Sequence, residues 1–131
     1  MEKLGGSKLQ NLTVVDSIKK LLGIDKDDDY FDVEILTHIN TVMLNLSQIG
    51  LGDYDTLICS EETTWDNLNV EQVVNHRTLE TYIYLRVKLI FDPPQSSMVT
   101  DSFKSIISEY EWRINHEIEK SKCKEGDKDE R

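Results

Sequence analysis

The stretch that most constrains this chain is residues 79–94, LETYIYLRVKLIFDPP. Leu79, Ile83, Val87 and Ile90 recur at helical spacing, while Tyr82, Leu89 and Phe91 widen the apolar face beyond what one neighbour covers. A helix of this kind has to be packed on more than one side, so it is expected at the centre of the fold. Its end is sharp, because Pro93 biases Asp92 away from helical geometry and Pro94 follows at once. Arg86 and Lys88 are expected to bury their stems and send their charges to solvent or to acidic neighbours.

The rest of the chain reads as helices arranged around that run. Thr13 is placed to cap a first helix, with Asp16 following as an acid near its positive end. Val15, Ile18, Leu21 and Leu22 form its stripe, Gly23 suits a left-handed terminus, and Ile24 is positioned to pack back. Asp32 is the expected cap of a second helix, 33–49, whose apolar face is Ile35, Ile39, Val42, Met43, Leu46 and Ile49. Leu36 and Leu44 lie off this face, so the second helix is expected to touch something besides its own core. Gly50 and Gly52 end it. A third helix begins at Val70 or Glu71 and ends at Phe91, and a fourth opens near Ser96-Ser97 with Met98, Phe103, Ile106, Ile107, Tyr110, Ile114 and Ile118 on one long face. The expected core is Ile18, Leu22, Ile35, Ile39, Met43, Leu79, Ile83, Val87, Ile90, Phe103, Ile107, Tyr110 and Ile114.

Between the second and third helices the character changes. Thr56–Ser60 and Thr63–Trp65 favour β-structure and are separated by Glu61-Glu62, which suggests a short hairpin or an extended loop. Trp65 is its natural anchor, either in the core or as an aromatic at a subunit contact, with Tyr54 beside it. The fold class is therefore mainly all-α: a small four-helix bundle with a hairpin-like loop between helices 2 and 3 and flexible termini. Residues 1–12, which contain Gly5-Gly6-Ser7, form a leader; 13–118 form one domain; the charged run 119–131 forms a tail expected to stay disordered until bound.

Charge restricts the partners. A formal net charge of -10 argues against gripping nucleic acid, which needs clustered Lys and Arg, but it suits a surface past which DNA must slide. No apolar run is long enough for a membrane span, and the first residues lack a signal-peptide core. Cys59 and Cys123 have no metal-ligand spacing and read as incidental thiols in a reducing compartment.

Nothing in the motifs points to catalysis. His38, His76 and His116 fall in three different expected helices, and no metalloprotease, nucleophile-elbow or phosphate-loop pattern occurs. The run from Asp25 to Tyr30 mimics the start of a calcium loop, but Tyr30 stands where glycine is required and Leu36 where glutamate is required. The expectation is no catalytic, metal or cofactor site; an enzyme built on the three histidines is the weakest alternative.

The segments VVDSIKKLLGI, FDVEILTHINTVMLNLSQIGLG, the Trp65-Asp66 loop, TYIYLRVKLIFDPP and SEYEWRIN together are another matter. From Val14 to Ile118 the chain resembles the small head–tail connector (adaptor) proteins of tailed bacteriophages and prophages of low-GC Gram-positive bacteria. The resemblance implies a helical protomer in a ring, a dodecamer, beneath the portal. Such a ring extends the DNA channel without binding DNA specifically and seats a stopper or tail-completion protein. It implies location in the virion neck, with assembly in the host cytoplasm. It also implies portal binding by the C-terminal region, here Trp112, Arg113, His116, Lys120 and Lys122, with Tyr54 and Trp65 at subunit contacts. The alternatives are a stopper or tail-completion neck protein, richer in strands, and a soluble helical regulatory protein.

Overall fold

The computed structural model describes the backbone of residues 12–129 and the side chains of residues 12–123. The expected leader, apart from residue 12, lies outside the described residues. The elements are α1 (Val14–Leu22), α2 (Asp32–Gln48), a one-turn α3 (Tyr54–Leu57), a 3-10 turn (Trp65–Leu68), α4 (His76–Phe91) and α5 (Ser97–Asp129). α4 is central, packing against α1, α2 and α5.

α1 is held at both ends by its own sequence. Thr13 Oγ1 accepts the Asp16 N–H at 3.0 Å, satisfying one of the donors that a helix start leaves open. At the other end Gly23 takes φ 85°, and the Gly23 and Ile24 N–H groups return to the Lys20 and Lys19 carbonyls. The buried face is Val14, Val15, Ile18 and Lys19, whereas Leu21 is 45% exposed. Positions 15, 18, 19 and 22 share one side of a helix, so Lys19, not Leu21, faces inward. Its side chain has no solvent exposure, and Nζ meets Asp32 Oδ1 at 2.8 Å and the Lys26 carbonyl at 3.1 Å. Asp32 is thus the first residue of α2 and an ion-pair partner; Phe31 occupies the cap position without a side-chain cap bond.

The acidic loop before α2 is locally bonded: Asp25 and Asp28 each accept the backbone N–H two residues on, at 3.1 and 3.2 Å. α2 buries Ile35, Ile39, Val42, Met43 and Leu46 against the core, and ends where Gly50 adopts φ 105°.

Residues 56–65 do not form the hairpin that their β-favouring composition suggests; no strand occurs among the described residues, and Thr56–Leu57 closes α3. The extended backbone at Thr64 pairs with Thr13 instead, and Val14 N–H reaches the Thr63 carbonyl at 2.8 Å. The start of α1 offered free donors, and the Thr63 carbonyl accepts one of them. Asn40 on α2 holds the other end of the segment, donating to the Cys59 carbonyl at 3.0 Å and accepting the Cys59 N–H at 2.8 Å. A 3-10 turn opened by a Thr64–Asn67 capping box then drops Trp65 into the core, where it is fully buried and donates Nε1–H to Ser17 Oγ at 3.1 Å.

α4 starts at His76, later than its pattern suggests, because Asn75 accepts the Arg77 N–H at 2.7 Å and the preceding residues turn. Leu79, Ile83 and Val87 are buried as expected, but Ile90 is 57% exposed. A spacing of four carries the inward face from 83 through 87 to 91, and Phe91 takes the place, edge-on to Phe31 at 5.1 Å. Ile107 and Ile114 of α5 are buried; Leu22, Phe103 and Tyr110 are half-buried at the core's margin. The α5 backbone continues as helix through residues 119–129.

Candidate partner-binding face

The second half of α5 has two sides with different chemistry. Ile107, Ile114 and Ile118 fall within one face, and that face is drawn onto the bundle. Trp112 is then carried to the outside, 66% exposed, and His116, one turn on, stacks flat against it with ring centroids 5.2 Å apart. Arg113 is exposed, bonded to Glu109 at 2.7 Å and lying 5.9 Å from the Tyr110 ring centroid. Three of the five residues assigned to partner binding therefore form one contiguous surface.

That surface is concave. A cleft of about 410 Å³ runs between Trp112, Arg113 and His116 and the turn that precedes α4, with Val73, Val74 and Thr78 on its far wall. Clefts of roughly 300–1,000 Å³ accept a drug-sized molecule, so this one has room for a large side chain of a partner. Lys120 and Lys122 continue along the helix. Lys120 stands 3.9 Å from Glu117. Lys122 lies over the end of α2: a Cβ built on Gly50 would come within 3.1 Å of its Nζ, placing the ammonium near the negative end of that helix.

Of the two residues assigned to subunit contacts, Trp65 is a correction. Its ring has no exposed surface, because Ser17 satisfies its N–H inside the core. Tyr54 is half-buried and packs on the core cluster.

A polar network next to this face joins three helices. Arg86 on α4 donates to Tyr82 Oη at 2.7 Å and to Asn45 Oδ1 on α2 at 2.9 Å, and Tyr82 donates to Glu111 on α5 at 2.9 Å. Burial pushes the Tyr82 hydroxyl up to about 12, with Arg86 opposing and Glu111 adding to the rise. Glu80 is also raised, by burial first, against the lowering influence of Arg77, of a hydrogen bond to Ser17 and of Lys20.

The histidines have separate settings. His38 is 3.8 Å from Glu34, His76 is buried with Nδ1 2.7 Å from Glu71, and His116 lies on Trp112. Among the described residues no group of three or more His, Cys, Asp or Glu side chains is placed to hold a metal ion, and no helix is long and apolar enough to cross a membrane. Cys59 is buried and its thiol is pushed up to about 12 by that burial. A neutral buried thiol is a poor nucleophile. A thiol reagent is therefore expected to modify exposed Cys123 rapidly in the native protein and Cys59 only after denaturant is added, as mass spectrometry of the two peptides would show. Equal labelling without denaturant would contradict the burial.

Ser17 and Lys19 have structural roles not read from the sequence, and for Asn40 no partner was identified there. The signal for Lys19 was its place on the α1 stripe; Asn40 had none, since its partner is 19 positions away.

The family model for phage connector proteins matches residues 14–121. No curated protein and no solved structure matches the chain. The matched span begins at the first residue of α1 and takes in α2, α4 and the buried part of α5, together with the Trp112–His116 face. Covering well over half of the sequence, it shows that this chain belongs to the phage head–tail connectors, a structural family of the virion neck.

Proposed function

We propose that this protein is the adaptor that forms a ring beneath the portal, extends the DNA channel and seats the stopper or tail-completion protein, without catalytic activity. In this reading the Trp112–His116 face of α5 is what the portal meets. The observation that carries it is a large aromatic ring, 66% exposed, braced flat against a histidine at the rim of a cleft. Exposed, pre-ordered aromatics of this kind are the usual anchors of protein interfaces, because their ordering cost is met before binding. The helical content supports an adaptor over a stopper, for which more strand is expected. The acidic balance supports passage of DNA over retention, and no specific DNA contact is assigned.

The test is binding to the portal protein of the same phage. Trp112→Ala is expected to weaken it by about thirtyfold or more, the loss associated with an interface hot spot. Electron microscopy of wild type with portal should show an added ring. Wild type that leaves a competent portal bare would refute the adaptor assignment. Unchanged affinity in Trp112→Ala, with Arg113→Glu equally silent, would move the portal contact elsewhere.

A further inference from the structure

Almost a third of this chain is charged, yet residues 35–52 contain no Asp, Glu, Lys or Arg. The core face of α2 accounts for part of that stretch but not for its outer face: Thr37, Thr41, Leu44 and Gln48 continue from Val33 at helical spacing and all five are exposed, Val33 at 73% and Leu44 at 41%. The two threonines do not present free hydroxyls. Thr37 Oγ1 donates to the Val33 carbonyl at 2.8 Å and Thr41 Oγ1 to the Thr37 carbonyl at 3.0 Å. Each hydroxyl is satisfied within its own helix and its methyl is left for contact, so covering the two threonines strands neither hydroxyl.

A second stripe, poor in charge, lies on another helix. The opening turns of α5 expose Met98 at 76% and Ile106 at 40%, with Ser102 and Ser105 between them. These residues line a shallow open groove together with Ser97 and the charged Asp101.

We infer that the outer stripe of α2 is the surface through which one copy packs on the next, seated against the opening turns of α5 of its neighbour. The occupant follows from charge. Each copy carries a net -10, so two copies repel across most of their surfaces and meet most closely where charge is sparse: the α2 stripe from Thr37 to Gln48 has none, and Asp101 of the groove would face it with no like charge opposite. A basic partner would instead be drawn to the acidic surfaces and would gain nothing from this stripe. The two stripes sit on different helices, both packed on α4. A contact between unlike surfaces is head-to-tail, which closes into a ring when the rotation permits. The inference rests on the ring reading above and supplies its lateral contact.

The experiment uses the full chain with and without portal. Thr41→Glu, at an exposed site and with its fold checked by circular dichroism, should reduce ring formation at least about tenfold, the scale of placing a like charge in an acidic protein's self-contact. It should leave single copies bound to portal. Thr41→Val, which loses the hydroxyl but keeps the shape, should assemble as wild type does. In a Cys123→Ser background, a Thr41→Cys chain mixed with a Ser105→Cys chain should give a disulfide-linked dimer, and neither alone should. Rings from Thr41→Glu equal to those of wild type would overturn the interface and leave the adaptor reading standing. Dimers from Thr41→Cys alone would overturn the head-to-tail pairing. A mixed-chain disulfide from a protein that ignores portal would uphold the interface and sink the adaptor reading.

Discussion

Lys19→Ala is expected to destabilise the protomer by about 3–5 kcal/mol, because it removes one partner of a buried ion pair and leaves the other charge behind. The Lys19 side chain is 0% exposed and Asp32 18%, so the carboxylate retains some water and the loss should fall toward the lower end. The Lys26 carbonyl loses its donor as well. Domains are stable by only about 5–15 kcal/mol in total, so the change should be plain as a lower urea midpoint with an unchanged slope. The double variant Lys19→Met, Asp32→Leu distinguishes the cause. It restores an apolar fit without charge, and should recover most of the loss, since a buried pair is often no better than the hydrophobic contact replacing it. A Lys19→Ala protein within about 1 kcal/mol of wild type would mean that the Asp32 charge finds compensation elsewhere.

Trp65→Ala should cost a similar amount, about 3–5 kcal/mol, by a different route. Trp65 is the largest fully buried side chain, and it fills the space between α1, the 3-10 turn and His76, whose ring centroid is 5.9 Å away. Truncation opens a cavity and deprives the buried Ser17 hydroxyl of a donor. Trp65→Phe separates the two contributions: it keeps most of the ring and removes the N–H, for which about 0.5–1.5 kcal/mol is expected beyond any packing change. Both are measured by chemical denaturation followed by circular dichroism. If Trp65→Phe were as damaging as Trp65→Ala, the hydrogen bond would outrank the volume and the packing account would be wrong.

These residues also mark how far the sequence could be read. The helices were legible because each carries its own punctuation: Thr13 and Gly23 around α1, Gly50 after α2, Asp92-Pro93-Pro94 after α4. The inward faces of α2 and α4 were legible because their apolar residues repeat at helical spacing. Ile90 misled because a stripe of spacing three or four offers two continuations at a helix end, and only the position of Phe31 selects Phe91. The 56–65 segment misled because local β-preference cannot see that Thr13 and Asn40 supply better partners than a second strand. Trp65 could be a core or an interface residue on local grounds alone; the hydroxyl that buries it lies 48 positions earlier. The Trp112 surface was readable as a departure from the α5 stripe, while its cleft was not, because the far wall comes from the turn before α4.

The Asn45–Arg86–Tyr82–Glu111 network has a mechanical consequence. Apolar helix faces resist separation and slippage through interlocked packing, but their contacts are not directional. Directional bonds that tie α2 to α4, and α4 to α5, add to that resistance. A load applied along α5 is then shared by the neighbouring helices in parallel, so the protomer shears as one block.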